Sequence, residues 1–246
     1  MRIHRLYTPE SLDEGVEIRL DGKPAHYLSR VLRLAESTEL VLFNGDGHDY
    51  QCVLVGFERD SVRVRVQARI RNDTESPLRI TLAQAISRGD RMDYCLQKST
   101  ELGVSTVQLL VSTRVEVKLS ENRLEKRMAH WRGVMQSACE QCGRATVPEL
   151  HAPISLDDWV GLPGRKMVLD ASGKIQLSQA QPGDNVSIAA GPEGGFEDAE
   201  LGLLQDAGVE TVRMGPRILR SETAGPAAIA VLQSMSGDMK PTPVAV

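Results

Sequence analysis

The feature that most restricts the fold lies between residues 186 and 223. Two glycine- and proline-marked loops, Gly191-Pro192-Glu193-Gly194-Gly195 and Met214-Gly215-Pro216-Arg217, each follow a short run rich in β-branched residues. Those runs, Val186-Ser187-Ile188-Ala189-Ala190 and Val209-Glu210-Thr211-Val212-Arg213, read as strands. The spacing of Ala199, Leu201, Leu203 and Leu204 between them reads as a helix. A strand, loop, helix and strand in that order make a crossover, which joins parallel strands. Parallel sheets bind ligands outside the carboxyl ends of their strands, where both loops fall. Glycine and proline also mark ordinary tight turns, and either loop alone leaves that reading open.

The chemistry of the ligand narrows next. A polyphosphate cradle uses backbone N–H groups at a helix N-terminus, usually with a Lys, or the spaced glycines of a dinucleotide fingerprint. Neither pattern occurs in these loops. Glu193 instead sets a carboxylate in the first loop. It would repel a polyphosphate, yet could accept hydrogen bonds from an amine or a ribose hydroxyl, or sit near a cation. A phosphate-free ligand is expected. S-adenosylmethionine, with its sulfonium, ammonium and adenosine, meets that description, although the chemistry by itself does not single it out.

Gly191-Pro192-Glu193-Gly194-Gly195-Phe196 with Glu200 following, then Met214-Gly215-Pro216-Arg217-Ile218-Leu219-Arg220-Ser221-Glu222-Thr223-Ala224, resembles the paired signature of the RsmE family. These are bacterial small-subunit ribosomal RNA uridine N3-methyltransferases of the SPOUT (α/β-knot) superfamily. The resemblance implies an α/β fold, with a C-terminal knotted parallel-sheet methyltransferase domain and a small N-terminal PUA-like β-barrel that binds RNA. It also implies S-adenosylmethionine as methyl donor, 16S ribosomal RNA or the 30S subunit as partner, and a homodimer. The cofactor candidates are Leu169, Gly191, Pro192, Glu193, Gly194, Gly195, Met214, Gly215, Arg217, Ile218, Leu219, Thr223 and Ala224.

Methylating N3 of a uracil requires a nitrogen that first bears a proton to displace a methyl group from a sulfonium. The site must align the two, help remove the proton and stabilise charge spreading onto the neighbouring carbonyl oxygens. No covalent nucleophile is needed. Arg220 and Glu222 stand where the second loop enters the last helix. Arg cannot be a base, so Arg220 would hold oxygen charge or phosphate, while Glu222 would assist proton removal or orient Arg220. An ion pair capping the helix is the other reading of Glu222. Glu140-Gln141-Cys142-Gly143-Arg144 resembles a family segment near the active site, with Cys in place of Ser, and makes Arg144 the third catalytic candidate, from either subunit. Lys98 and Glu101 match another family segment and equally fit a surface pair. Two alternatives remain: a ribose 2′-O-methyltransferase, and a non-catalytic RNA-binding or ribosome-assembly factor of the same fold.

The formal net charge of -4 hides an uneven distribution. Residues 1 to 72 hold ten Arg and one Lys against eleven acids, so the deficit lies in the remainder. The planar Arg fork suits phosphate, and the front segment is the expected RNA surface, with Arg2, Arg5, Arg30 and Arg33 as candidates. Arg59, Arg63, Arg65, Arg69 and Arg71 also fit the solvent face of strands. Cys139 and Cys142 form a single C-x-x-C within a helical pattern, half a zinc site, and no metal is expected. No apolar run of about 18 residues occurs and MRIHRLYTPE lacks an apolar signal region, which predicts a cytoplasmic protein without a membrane partner.

Along the chain, Ala25 to Arg33 reads as a short helix with Tyr27, Leu28, Val31 and Leu32 inward. Period-two segments follow from Glu39 to Ile70. Breakers at Asn72 to Pro77 place a boundary: a domain over 1–72, a linker over 73–77, a methyltransferase domain over 78–236 and a disordered tail over 237–246. Beyond the linker, strand and helix alternate: Arg79 to Ala85, Arg91 to Leu102, Thr106 to Val111, the long helix Asn122 to Cys142, and Met167 to Leu169. Two departures from the family pattern predict local changes. Glu197 stands where Ser would complete a capping box, so a looser first loop is expected. Gly225-Pro226 predicts a late start to the last helix, over about Thr223 to Met235.

Overall fold

The computed structural model describes residues 4–114 and 121–241. The chain divides into two compact units, 1–75 with 136–147, and 76–135 with 148–246.

In the first unit five strands pair in the order β1-β3-β4-β5-β2: β1 His4–Tyr7, β2 Glu17–Asp21, β3 Glu39–Phe43, β4 His48–Phe57 and β5 Ser61–Arg71. Alternation does the work here. In β5 the buried Val62, Val64 and Val66 face the core while Arg63, Arg65 and Arg69 remain exposed. The helix α1, Gly22–His26, runs into a π-turn over Tyr27–Val31. That wider turn changes the inner face from the one predicted: Leu28 is fully buried, but Tyr27 and Val31 are 41% and 58% exposed.

The sequence assigns residues 136–147 to the second domain, whereas they cluster with the first unit. Cys139 and Ala145 bury against Phe43, with Tyr7 and Val147 alongside. The N–H of Tyr7 donates to the Glu140 carboxylate at 3.0 Å, and Asn72 donates to the Gly143 carbonyl at 2.9 Å. Contacts of this kind join segments far apart in the chain, and breaker residues carry no sign of them.

The second unit is a seven-stranded, wholly parallel sheet in the order β10-β12-β9-β11-β6-β7-β8. Its strands are β6 Arg79–Ala85, β7 Thr106–Val111, β8 Glu149–Ser155, β9 Arg165–Leu169, β10 Ile175–Gln176, β11 Asn185–Ala190 and β12 Glu210–Arg213. The helices are α2 Asp90–Glu101, α3 Glu121–Cys142, of which residues 136–142 cluster with the first unit, α4 Leu156–Gly161, α5 Asp198–Asp206 and α6 Ser221–Ser236. The central strands are apolar on both faces, as burial between helix layers requires: Ile80, Leu82, Ala83 and Ala85 of β6 and Val186, Ile188, Ala189 and Ala190 of β11 are all fully buried.

β12 is late in the chain yet lies between β9 and β10, which are separated by only five residues. The connecting segment 170–174 therefore crosses it. The Asp170 N–H donates to the Val212 carbonyl at 3.0 Å. At Gly173 a Cβ would lie 2.8 Å from the backbone carbon of Val212, so only glycine fits the crossing. α6 then returns against β11 and β6. This crossing is of the kind that the knotted parallel sheet implied by the resemblance requires.

α6 begins at Ser221, ahead of the predicted start, and carries Pro226 inside it. The Arg220 carbonyl accepts from the N–H groups of both Thr223 and Ala224 at 2.9 Å, closing the first turn before the proline is reached. Gly225 lets the helix approach β6 closely, since a Cβ there would meet Leu82 at 3.0 Å and Gln84 at 3.1 Å. The tail prediction falls partly on residues 242–246, outside the described residues; 237–241 carry no helix or strand.

Candidate functional site

The carboxyl ends of β9, β11 and β12 lie side by side, and the loops leaving them enclose a cavity of about 530 Å3. Leu169 and Asp170 form one side, Gly191 to Phe196 the second, and Val212 to Gly215 with Arg217 to Glu222 the third. Gly195 and Gly215 hold φ of 69° and 68°, in the left-handed region that favours glycine. Gly191 packs on Phe196, whose ring and N–H would both lie 3.3 Å from an added Cβ.

The first loop is braced by side chains from elsewhere. Glu193 accepts from the Arg88 N–H and the Arg91 guanidinium, both at 3.2 Å. Burial would raise its carboxyl, but the backbone hydrogen bonds and Arg91 outweigh that and hold it below the usual range. Arg114 donates to the Gly194 carbonyl at 2.5 Å and lies 3.4 Å from Glu197. The Glu200 carboxylate accepts from the N–H groups of Glu197 and Thr113, each at 2.8 Å, and from the hydroxyls of Ser112 and Thr113. Those bonds overcome the effect of burial and lower its pKa. The second loop is fastened by the Gly215 N–H donating to Gln176 at 3.0 Å.

Glu222 is largely buried and 3.9 Å from the exposed Arg220. Ser221 donates to Glu222 at 3.3 Å, and Ser87 donates in turn to Ser221 at 3.3 Å.

A family model for an RNA methyltransferase domain matches residues 74–233, and one for an RNA methyltransferase PUA domain matches residues 20–67. Ribosomal RNA small subunit methyltransferase E of Buchnera aphidicola from Schizaphis graminum is 31% identical over 97% of this chain and 98% of its own. The chain belongs to the RsmE family. Two solved structures match this RsmE-family chain at 37% identity over 97% of its length and 100% of theirs. One is a Legionella pneumophila protein in complex with SAM, at a TM-score of 0.92; the other is a Neisseria gonorrhoeae ribosomal RNA small subunit methyltransferase E bound to S-adenosyl methionine, at 0.90.

Of the predicted site residues, Leu169, Gly191, Pro192, Glu193, Gly194, Gly195, Met214, Gly215, Arg217, Ile218, Leu219, Arg220, Glu222 and Ala224 all line this one cavity. Thr223 does not line it and is exposed. The carboxylate of Glu193 is committed to Arg91 and the Arg88 N–H, so it anchors the loop where the sequence reading has it meeting the ligand. Its charge is balanced by Arg91, which weakens it as an argument against phosphate. The predicted looseness at Glu197 is also absent, because Glu200 closes the cap from the other side.

Arg144 is 4% exposed within the first unit, where its Nε and Nη2 donate to Glu75 at 2.9 and 2.6 Å. A buried fork paired to a carboxylate holds structure together, and the catalytic assignment gives way to that role. Arg5 changes in the same way. It meets Asp49 at 2.6 Å, donates to the Arg144 carbonyl and lies 5.1 Å over the Phe43 ring, so it is not presented to a phosphate. Arg30 and Arg33 are exposed; Arg2 lies outside the described residues. Lys98 and Glu101 form the surface pair, at 2.8 Å.

Asp170, Phe196 and Arg91 line the cavity unannounced. Asp170 is the first polar residue after the apolar run of β9, at the end of the strand that faces ligands, and that position was a readable signal. Arg91 gave none, since only the fold brings α2 to Glu193.

Proposed function

We propose that this protein transfers a methyl group from S-adenosylmethionine to N3 of a specific uridine in small-subunit ribosomal RNA, as a cytoplasmic homodimer. The observation that carries this reading is the cavity at the ends of β9, β11 and β12, whose walls are the two loops bearing the family signature. Its size suits a nucleoside-sized ligand. Leu169, Phe196, Met214 and Leu219 offer apolar surface to an adenine ring, the glycine loops bring backbone close to the ligand, and Asp170 and Glu222 offer carboxylates to cationic groups. The residues therefore fit the cofactor, which supplies an electrophilic methyl on a sulfonium.

Arg220, exposed at the rim, stabilises negative charge on the uracil carbonyl oxygens as N3 gives up its proton. Glu222, held by Ser221, lies within reach of Arg220 and takes the proton directly or through water. The test uses small ribosomal subunits lacking the mark, the protein and labelled S-adenosylmethionine, with nucleoside analysis of the product. Label in N3-methyluridine is expected; label in a 2′-O-methyl nucleoside, or none, overturns the reading.

A further inference from the structure

β6 ends at Ala85, and two residues later Ser87 is only 1% exposed. Its backbone is pinned on both sides: the Ile86 N–H donates to the Leu110 carbonyl at 3.2 Å, and the Arg88 N–H donates to Glu193 at 3.2 Å. The Ser87 hydroxyl is therefore presented from a fixed frame, and it meets Ser221 at 3.3 Å, 134 residues further along the chain. Ser221, buried at the start of α6, meets Oε2 of Glu222 at 3.3 Å. The other oxygen, Oε1, is the one that faces the exposed Arg220, at 3.9 Å. The two oxygens of Glu222 thus have separate neighbours, one toward the interior and one toward the rim.

The chemistry of this chain fixes its direction. An ionised carboxylate only accepts, so the single proton of Ser221 goes to Glu222. Toward Ser87 the Ser221 oxygen can then only accept, and the Ser87 proton closes the chain from behind. A hydroxyl that accepts one bond donates a stronger one. Cys95 is no rival for the proton that Glu222 takes. Burial pushes its thiol up to about 12, with the Glu222 charge adding to the rise against a lowering bond from Ser99, so it stays protonated.

We propose that Ser87 is a positioning residue for methyl transfer: acting through Ser221, it keeps the Glu222 carboxylate ionised and leaves Oε1 toward Arg220 to take the proton. In the step it serves, the N3–H bond breaks with its proton going to Glu222, the N3–methyl bond forms, and the methyl–sulfur bond breaks with its electron pair left on sulfur. Ser87 does not line the cofactor cavity, so its effect passes through its neighbours alone. This assignment rests on Glu222 being the proton acceptor and adds the group that prepares it.

Ser87→Ala and Ser87→Cys are compared with wild type on small ribosomal subunits lacking the mark, in single turnovers at saturating S-adenosylmethionine. The cysteine keeps bulk while its S–H donates weakly, which separates packing from hydrogen bonding. In both variants the transfer rate should fall about tenfold, while cofactor affinity by calorimetry and the half-saturating concentration of subunits stay within about twofold. The acid limb of the rate profile should move to higher pH in both, because a carboxylate that loses a donor takes up a proton more readily.

Glu222→Gln supplies the cross-check. With no carboxylate left to prepare, adding Ser87→Ala to Glu222→Gln should cost nothing further. A further tenfold fall in the double variant, a wild-type rate and profile in Ser87→Cys, or a loss of cofactor affinity as large as the loss of rate would each overturn the assignment. Failure of the underlying reading looks different: Glu222→Gln alone would then keep the wild-type rate.

Discussion

The two loops that wall the cofactor cavity are built on opposite plans. The first, Gly191 to Phe196, is tied down by two other parts of the unit: the start of α2, which holds Glu193, and residues 112–114, which hold the Gly194 carbonyl and, with the Glu197 N–H, the Glu200 carboxylate. The second, Met214 to Leu219, has the Gln176 bond at Gly215, and Ile218 beyond it is 90% exposed. A braced wall keeps its shape without a ligand; a lightly held one takes its final shape around a ligand. Binding cost follows, since ordering a loop on association subtracts from affinity. The first loop supplies preorganisation and the second supplies adaptation, next to the residues proposed for proton transfer.

Breaking the braced wall should have the largest effect. Gly191→Val drives a side chain into Phe196, and overpacking of about 1–3 kcal/mol corresponds to a loss of about five- to 150-fold in S-adenosylmethionine affinity by calorimetry. Wild-type affinity in a folded Gly191→Val protein would show that the wall is not fixed. Glu193→Gln tests a single brace and should weaken cofactor binding about three- to tenfold at neutral pH. The pH dependence carries the sign. Because the folded carboxyl is held below 4.5, its contribution is complete above that value and is lost only as pH falls through the depressed one. Cofactor affinity of wild type should therefore stay level down past 4.5 and then fall, and Glu193→Gln should lack the fall at that brace. The smallest effect is expected from Gln176→Ala, a few-fold at most, because it removes one neutral hydrogen bond. A larger loss from Gln176→Ala than from Glu193→Gln would reverse the comparison.

Both loops were legible in the sequence because glycine and proline report local backbone demands, and Gly195 and Gly215 sit in the conformation that calls for glycine. The braces were hidden. Arg91, Arg114 and Ser112 meet the first loop from about 80 to 100 residues away in the chain, and long-range ion pairs leave no periodic trace. Arg5 and Arg144 show the converse: Arg5 is expected to be functional as a residue type suited to phosphate and Arg144 through the resemblance of its segment, and only burial beside Asp49 or Glu75 shows each paired inside its own unit. Parallel strands were legible in the residue pattern, whereas the threading came only with the family resemblance, because Gly173 sits in Asp170-Ala171-Ser172-Gly173, which reads as an ordinary turn. The same limit applied to α6, where Pro226 argued for a late start and the bonds to the Arg220 carbonyl outweighed it.

The passage of 170–174 over β12 couples two walls of the site. Leu169 and Asp170 lie at one end of the crossing segment, and Val212 to Gly215 lie on the strand beneath it. One side of the cavity and its opposite side are thus held to each other by a single backbone crossing, at the Asp170 N–H and at Gly173. A side chain at residue 173 would push the two apart, so one position outside the cavity sets the width of the seat for the methyl donor.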